Sequence, residues 1–543
     1  MAVMEKDPRA EEAIRRWGEL KTERARFEQD WEDIARLIRP QRGGFSLSDH
    51  TQRVHEKPLS SAPILAQSTF AGELYGTITN PANRWMGLKT TDPDVNDWQP
   101  MREWLHGTAS RVLASFRPAV SGFYDASLQL YSDIAAFGNS AQYDEAQPGK
   151  RQILDVTLSL AEVVWDIDAH GSVVEVVRKF HLTPRAAVRM FDGKGELPKR
   201  LHDMAEKGST DKITFYQHVT PNDSWLPGKL GARGKDWLSR YVCEINATLV
   251  RESGYDDMPF YAPRWDVESG QTYGTGPGFI ALPSARTVHR MDEATIRAAQ
   301  NAADPTKLAP DRDIWPLHGR IRPGEIIYGG VNTRGEPMIR SLDQHANIGL
   351  TIEEKRQKIE EIKDAFHWTL LSLAGRTGLN ELEVMEIQAQ RQRLWAPHMG
   401  RLQKEYLAKK IARRFAILWR EGQLPPPPDV PRDVGLQVDY QSAAAAAQKS
   451  SEAASMVRIV ADIAPLAQAK PRLLDRIDAD GYIEALAEAR GVPAGFLMSR
   501  EEADQIAKAR AEREAQAQQM DMAERGVGMM RDAAQALPQG GDA

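Results

Sequence analysis

Apolar residues recur at helical spacing through the first part of the chain. The first run begins after Asp7-Pro8, a capping residue followed by a proline suited to the first helical turn, and it ends at Pro40. Its apolar members are Ile14, Trp17, Phe27, Trp31, Ile34 and Ile38. A second helix is predicted from Ser61–Pro63 to Asn80-Pro81, and residues 98–138 are predicted to be helical as well.

The spacing of apolar residues changes from helical to alternating after residue 153. β-Branched runs at Val163–Ile167 and Val173–Val177 flank the turn sequence Asp168–Gly171, and together they predict a β-hairpin. Further strands are predicted at Ile213–Val219 and at Tyr241–Arg251. The first half of the chain therefore has the pattern of an α+β structure.

Helical spacing returns beyond Pro283 and is interrupted by an insert, Asp304–His345, rich in Pro, Gly and Asp. The helix after the insert has its polar residues on one face, and Glu354 and Lys358 form a favourable i,i+4 pair there. Its apolar stripe consists of Ile352, Ile359, Ile362, Phe366 and Leu370. Two helices separated by a compact insert predict an αα-hairpin that carries a small module at its tip.

The C-terminal part is predicted to be helical in several pieces. A break at Leu373–Asn380 leads into a long helix, Glu381–Gly422, with a kink or interruption at Pro397. The run Pro425–Pro428 is interpreted as a stiff linker between domains. Beyond it the pattern predicts helices at 442–463 and 472–490, then a tail from Ser499 whose last residues fray.

Length and composition limit the class of protein. The chain of 543 residues is too long for one hydrophobic core and predicts roughly three to four regions. With 41% hydrophobic and 27% charged residues, most of it is expected to fold. The charged start, Met1–Arg16, does not resemble a secretion signal, and we expect no membrane span. The net charge of −6 argues against a protein that coats DNA by neutralising phosphates.

The motifs that would indicate catalysis or a bound cofactor are missing from the sequence. Gly228 and Gly234 lack the spacing of a phosphate-binding loop, and Gly274–Gly278 is better explained by a backbone bend than by dinucleotide binding. Asp478–Gly481 lacks the first and last ligands of a calcium loop. The single cysteine, Cys243, is interpreted as a small apolar strand residue. We therefore expect no catalytic residue, no cofactor and no metal.

Several segments, in order along the chain, resemble the head-to-tail connector (portal) family of podoviruses. Near the N-terminus these are Trp31–Pro40, Ser68–Leu74, Asn80-Pro81 and Arg84–Leu88. The most specific stretch combines Pro259, Arg264-Trp265, Gly270–Pro277 and Ala281–Pro283. Later matches are Glu383-Val384, Arg391, Glu405–Phe415, Gly422–Pro425, Asp478–Asp480 and Gly491–Pro493. One departure is the string Asn380–Val384, where the family has Thr-Ala-Thr-Glu-Val.

The resemblance implies a predominantly helical α+β portal fold with wing, stem, clip and crown regions, assembled as a ring of twelve. It assigns residues 1–282 to the wing, 283–303 and 346–372 to two stem helices, 304–345 to the clip, 373–380 to a tunnel loop, 381–424 to a long wing helix and 425–543 to the crown and tail. The implied function is to conduct double-stranded DNA into and out of the capsid. The implied partners are the terminase large subunit, tail adaptor and nozzle proteins, and the major capsid and scaffolding proteins. The implied location is the head-tail junction of the virion, after assembly in the host cytoplasm.

Candidate site residues follow from this assignment. Arg286, Arg290 and Arg297 share one face of the first stem helix and are predicted to meet the DNA backbone. The alternatives are a solvated face or salt bridges between subunits to Glu353, Glu354 or Glu360. In the tunnel loop Arg376 and Asn380 are expected to face the channel, with Gly375 and Gly378 as hinges or plain turn residues. The predicted docking surface of the clip consists of Arg312, Arg320, Arg322 and Arg334.

Two other classes of protein stay open at this point. One is a capsid-associated scaffold or tail adaptor that assembles without conducting DNA, and the other is an enzyme acting on DNA. A central channel would separate the portal from the scaffold or adaptor. Turnover that depends on metal or ATP would separate both of these from the enzyme.

Overall fold

A computed structural model of the chain describes residues 7–40, 42–45, 47, 58–147, 152–303, 307–308, 331–338, 340–341, 348–368, 371, 390, 395, 397–429, 434–440, 458, 481–483, 486, 498, 503–517 and 520. The helices within these ranges include α1 (Pro8–Leu37), α2 (Ala62–Ile78), α3 (Pro93–Asp97), α4 (Gln99–Ser115), α5 (Phe123–Phe137), α6 (Pro184–Phe191), α7 (Lys199–Glu206), α8 (Pro277–Ala303), α9 (Ile348–Ala365) and α10 (Ala408–Arg420). The strands are β1 (Met86–Thr90), β2 (Ala141–Gln147), β3 (Gln152–Leu158), β4 (Val163–Ile167), β5 (Val173–Leu182), β6 (Ile213–Pro221), β7 (Trp237–Cys243), β8 (Thr248–Tyr255), β9 (Phe260–Tyr261), β10 (Lys307–Leu308), β11 (Arg340–Ser341) and β12 (Leu436–Tyr440). Helices and antiparallel sheets confirm the α+β class.

The chain forms two compact units. One consists of residues 1–83 and 114–421, and the other of residues 84–113 and 422–543. Residues 84–113 thus belong to the same compact unit as the C-terminal segment. In that second unit β1 pairs antiparallel with β12, and Trp104 Nε1 donates a hydrogen bond of 2.9 Å to the Pro425 carbonyl.

The largest sheet of the first unit lies between helices. Its strand order is β4-β5-β6-β7-β8, with every neighbouring pair antiparallel. Helix α1 covers one face through Trp17 and Leu20, which pack on Val164, Val177 and Tyr216. Helices α6 and α7 cover the other face, where Phe180, Phe191, Leu201, Phe215, Tyr241 and Cys243 form a second apolar cluster. Both faces of the sheet are thereby removed from water, which is the main source of stabilisation for such a layer.

Two predicted elements near the N-terminus are confirmed closely. Helix α1 begins after Asp7, whose carboxylate accepts a hydrogen bond from the Arg9 backbone N–H, and it ends before Pro40. The hairpin predicted around Asp168–Gly171 is the pair β4 and β5. The predicted helical region 98–138 is two helices, α4 and α5, because the chain turns between residues 116 and 122.

The strand predicted at Tyr241–Arg251 is wrong. The chain turns sharply at 245–247, where Asn246 and Ala247 adopt positive φ values of 55° and 45°, and β7 and β8 form a hairpin on either side. Alternating apolar residues continue through the turn and conceal it. Asn accepts the left-handed conformation more readily than most residues and was the available signal. Cys243 does lie buried in a strand, as predicted.

Candidate functional site

Helices α8 and α9 form the αα-hairpin that the sequence predicts as the stem. They run antiparallel: the Lys355 ammonium contacts the Asp292 carboxylate near one end, and Ser284 Oγ donates a 2.6 Å hydrogen bond to Glu361 near the other. Beyond the hairpin the strands β10 and β11 pair antiparallel, so the two chain ends of the insert are joined at its base. The predicted αα-hairpin is confirmed, while most of the insert predicted at its tip lies outside the described residues.

The bounds and packing of the two stem helices differ from the prediction in part. Helix α8 begins at Pro277, not near Pro283, because Pro277 occupies the first helical position and Pro283 lies inside the helix. Ile362 of α9 and Phe366, which directly follows the helix, are fully buried, whereas Ile352 is 45% exposed. The predicted pair between Glu354 and Lys358 is wrong, because the Lys358 ammonium lies 2.7 Å from Glu361 instead. The apolar stripe is therefore covered only toward the end of the helix.

Arg286 is held by acidic residues of α1. Its guanidinium lies 2.9 Å from the Asp30 carboxylate and 2.6 Å from that of Asp33. Burial alone would lower the pKa of Arg286, but the hydrogen bonds to Asp30 and Asp33 raise it above its ordinary value. The positive charge of Arg286 is therefore balanced within its own chain, by residues other than the glutamates considered from the sequence.

Arg290 and Arg297 lie on the same helix in more open surroundings. Both are exposed, and the Arg297 guanidinium contacts the Glu293 carboxylate one helical turn away at 2.6 Å. An exposed i,i+4 pair of this kind adds little to stability and exchanges readily with solvent. The three arginines grouped by spacing are thus divided by the structure into one structural residue, Arg286, and two accessible ones.

The remaining candidate residues lie mostly outside the described ranges. Arg312, Arg320 and Arg322 of the insert do so, as do Gly375, Arg376, Gly378 and Asn380 of the predicted tunnel loop. Arg334 is described: it is exposed in a turn, and its backbone N–H donates a 2.9 Å hydrogen bond to the Asn332 side chain.

Arg264, in the central segment that resembles the connector family, joins several elements. It is 4% exposed, and its Nη2 lies 2.8 Å from Glu405 Oε1 and donates a 2.5 Å hydrogen bond to the Gly171 carbonyl. Next to it, the Trp265 ring stacks on His398 with centroids 4.5 Å apart. Sequence reasoning quoted this Arg-Trp pair as a family motif but assigned it no contact. An arginine flanked by aromatic and proline residues was the only signal.

Close packing explains the glycines that follow Arg264. A Cβ atom on Gly278 would lie 2.0 Å from the Ala136 carbonyl oxygen of α5, and one on Gly276 would lie 2.8 Å from the Cα atom of Gly138. Asn139 fixes the same approach by hydrogen bonds to both the N–H and the carbonyl of Gly274. The start of α8 therefore lies directly against α5. Contact with backbone, rather than the bend expected from the sequence, requires glycine here.

A buried ionic cluster connects α10 to the sheet of β2 and β3, and sequence reasoning missed it. The Lys410 ammonium contacts Asp144 at 2.9 Å and also contacts Asp155. Arg413 pairs with Asp144 at 2.6 Å, and Arg414 pairs with Asp155 at 2.7 Å. Burial alone would raise the pKa of Asp144, but Lys410 and Arg413 lower it to about 2. The side chains of Lys410, Asp144 and Asp155 are fully buried, so the contacts among them offset the cost of removing these groups from water.

Metal-binding clusters and membrane-spanning helices are both absent from the part of the chain that the structure describes. Within these ranges no group of three or more His, Cys, Asp or Glu side chains is arranged to hold a metal ion. Among the helices described, none is both long and apolar enough to cross a bilayer.

These features define a class of protein. Among the described residues, buried ion pairs join separate elements of the fold, and α8 and α9 form an antiparallel hairpin. Such a molecule is an α+β protein whose elements are joined by buried ion pairs and which contains a long helical hairpin.

The comparisons with known proteins identify the family. The model of the bacteriophage head to tail connecting protein family matches residues 10–497, so the chain belongs to this family. The chain is 28% identical to the portal protein of Salmonella phage epsilon15 over 521 residues, which cover 94% of this chain and 93% of that protein. It is 26% identical to the probable portal protein of Bordetella phage BPP-1 over 539 residues, covering 95% of this chain and 93% of that protein.

A solved structure is also similar. A chain in the neck of an empty GTA particle matches with a TM-score of 0.33 and 13% identity, over 78% of this chain and 88% of that chain. The family and the two phage relatives confirm the resemblance inferred from the sequence. The chain is a structural portal component of a bacteriophage head-tail junction and not an enzyme.

Proposed function

We propose that twelve copies of this chain form a ring around an axial channel, through which double-stranded DNA enters and leaves the capsid. The observation that carries the proposal is the match to the connector family over residues 10–497, nearly the whole chain. The terminase large subunit docks at the insert between α8 and α9 during packaging, and tail adaptor and nozzle proteins replace it there. The wing and crown regions meet the major capsid and scaffolding proteins during assembly in the host cytoplasm.

The α8–α9 hairpin supports this assignment of the stem. Helix α8 has 27 residues and is therefore about 40 Å long, enough to build a substantial part of a channel wall. The contacts of Asp292 with Lys355 and of Ser284 with Glu361 fix the two helices against each other. In this proposal residues 283–303 and 346–372 form the stem, 304–345 the clip and 373–380 the tunnel loop.

Arg290 and Arg297 are the DNA contacts that we propose on the stem. Both are exposed on one face of α8, and a ring would repeat each of them twelve times. Arg286 serves instead to fasten the stem to α1 through Asp30 and Asp33. Arg376 and Asn380 line the channel at the tunnel loop, Gly375 and Gly378 act as its hinge, and Arg312, Arg320, Arg322 and Arg334 form the docking surface.

Mass measurement and electron-microscope projection of the purified protein test the ring. Twelve copies of a 60.7 kDa chain total about 730 kDa, and we expect a ring of this mass with a central hole. A closed small oligomer without a hole would contradict the channel and favour a scaffold or tail adaptor. A monomer at moderate salt that stays monomeric when shell and scaffolding proteins are added would contradict the ring.

Charge reversal tests the DNA contacts separately from assembly. We expect Arg290→Glu to leave the ring intact and to change the amount of DNA packaged, because twelve cations facing the DNA become twelve anions. Arg189→Glu is the matched control, since Arg189 is exposed on α6 of the wing. Normal packaging by rings that carry Arg290→Glu would refute the contact.

A further inference from the structure

One turn of a different helix type interrupts the helix that ends in α10. Residues 397–402 and α10 are α-helical, and Gln403–Leu407 between them form a π-helical turn. The flanking backbone is regular, with φ and ψ of −60° and −39° at Leu402 and of −61° and −47° at Ala408. A π turn places one extra residue in the helical repeat and has poorer backbone geometry than an α turn, so surrounding contacts must hold it.

The helix is anchored firmly on the C-terminal side of this turn. Lys410, Arg413 and Arg414 belong to the buried ionic cluster with Asp144 and Asp155. Rotating α10 would separate several buried charges at once, and breaking even one such pair is strongly destabilising. Helix α10 is therefore held in place on the C-terminal side of the π turn.

The N-terminal side is anchored by a ring stack, hydrogen bonds to backbone carbonyls and core packing. The His398 ring stacks on Trp265, and its Nδ1 lies 3.2 Å from the Trp265 carbonyl oxygen. Arg401 donates a 3.3 Å hydrogen bond to the Val267 carbonyl, and Leu402 packs in the core. Among the residues that the structure describes, residues 397–402 form no ion pair, so a rotation there separates no opposite charges within those ranges.

Glu405 lies in the middle of the π turn and is held by Arg264. Its carboxylate accepts hydrogen bonds from the Arg264 backbone N–H at 3.0 Å, from Nε at 3.3 Å and from Nη2 at 2.8 Å. A step of one residue turns a helix by about 100°. The carboxylate would therefore point away from Arg264 if the extra residue left this turn.

We propose that the π turn Gln403–Leu407 is a conformational joint locked by the Arg264–Glu405 ion pair. When the lock opens, the extra residue passes toward the N-terminus of the helix. Residues 397–402 then rotate by one residue, about 100°, while α10 stays on the sheet. Arg264 is a positioning residue in this device, because it determines where the extra residue lies. This rearrangement lies within a single chain, so the proposal is independent of the proposed ring and of the proposed DNA contacts.

Hydrogen–deuterium exchange of the full chain tests the lock. Arg264→Lys keeps the charge but loses the planar fork, and Glu405→Gln keeps the size and loses the charge. We expect exchange of the amides in residues 397–407 to become roughly tenfold faster or more in both variants, because charge-assisted hydrogen bonds are lost. Exchange in residues 408–420 should stay as in the parent protein. Arg178→Lys is the matched control, since Arg178 pairs with Glu162 at 3.1 Å on the sheet and should change neither segment.

Deletion of Lys404 distinguishes a joint from an ordinary stabilising ion pair. Lys404 is exposed within the π turn, and its removal takes out the extra residue without removing a buried side chain. We expect residues 397–407 of the deletion protein to exchange as slowly as residues 408–420, with or without Arg264→Lys. The proposal is overturned if neither point variant changes exchange in residues 397–407, or if exchange rises equally in 408–420.

Discussion

Lys410→Met is the sharpest test of what the buried ionic cluster contributes. The substitution keeps the length and most of the volume of the side chain and removes one charge that is fully buried. Asp155 loses its contact through Oδ1 and keeps only Arg414 at 2.7 Å, while Asp144 keeps Arg413 at 2.6 Å and the Tyr261 hydroxyl at 3.0 Å. Removing one member of a buried ion pair costs about 3–5 kcal/mol. Because each aspartate retains one arginine, we expect the lower end, about 3 kcal/mol.

The assay is denaturant unfolding followed by tryptophan fluorescence, with the free energy of unfolding compared between variants. Arg420→Met is the matched control on the same helix, because Arg420 contacts Asp256 and Asp257 while about 40% exposed. Exposed pairs contribute about 0–1 kcal/mol, so this control should change stability by less than that. The reasoning is refuted if Lys410→Met and Arg420→Met destabilise the protein equally.

Three further predictions address packing, pH and the thiol. Gly278→Ala should destabilise the protein by about 1–3 kcal/mol, because the new Cβ atom would overlap the Ala136 carbonyl. Gly72 on α2 has open space around it, so Gly72→Ala should stabilise the protein by up to about 1 kcal/mol. Equal melting temperatures of the two variants would contradict this packing argument. Burial alone would raise the pKa of Glu175, but His218 and Arg16 lower it from 4.5 to about 2. The contribution of Glu175 to folding stability is therefore complete above about pH 4.5 and is lost as the pH falls toward 2. The stability of Glu175→Gln should thus depend less on pH across that window than the stability of the parent protein, and parallel acid unfolding curves would contradict the assignment. Burial raises the pKa of the Cys243 thiol to about 11, so a thiol reagent at pH 8 should label the protein only after denaturation. Rapid labelling of the native protein would show that Cys243 on β7 is accessible to solvent and would contradict its burial.

Local signals in the sequence predicted the elements whose determinants lie close together in the chain. Helix α1 begins after the Asp7 cap with Pro8 in its first turn, and it ends before Pro40. The predicted hairpin of β4 and β5 turns at Asp168–Gly171. The strands β1 and β12 were missed, because they pair Met86 with Tyr440 across some 350 residues and each is only a short segment. Neither has an alternating pattern long enough to identify a strand without its partner.

The site was less predictable than the fold because its contacts are set by tertiary pairing. The spacing of Arg286, Arg290 and Arg297 placed them correctly on one face of α8. It did not reveal that Asp30 and Asp33, some 250 residues earlier, bind only the first of them. The π turn at Gln403–Leu407 was not predicted, because the residues on both sides of it are α-helical and no residue type in the turn distinguishes it from a continuous helix.

The run Lys409–Arg414 shows why the charge pattern of the sequence did not reveal the buried ionic cluster. Two lysines and two arginines in six residues are typical of a solvated helix face, and that interpretation is correct for most such runs. Here Lys410, Arg413 and Arg414 point inward because Asp144 and Asp155, on adjacent paired strands, offer two carboxylates in one place. An apolar helix face would bind the same sheet in several registers. Paired charges accept only one, so we infer that the cluster fixes the position of α10, and with it the fixed side of the joint at Glu405.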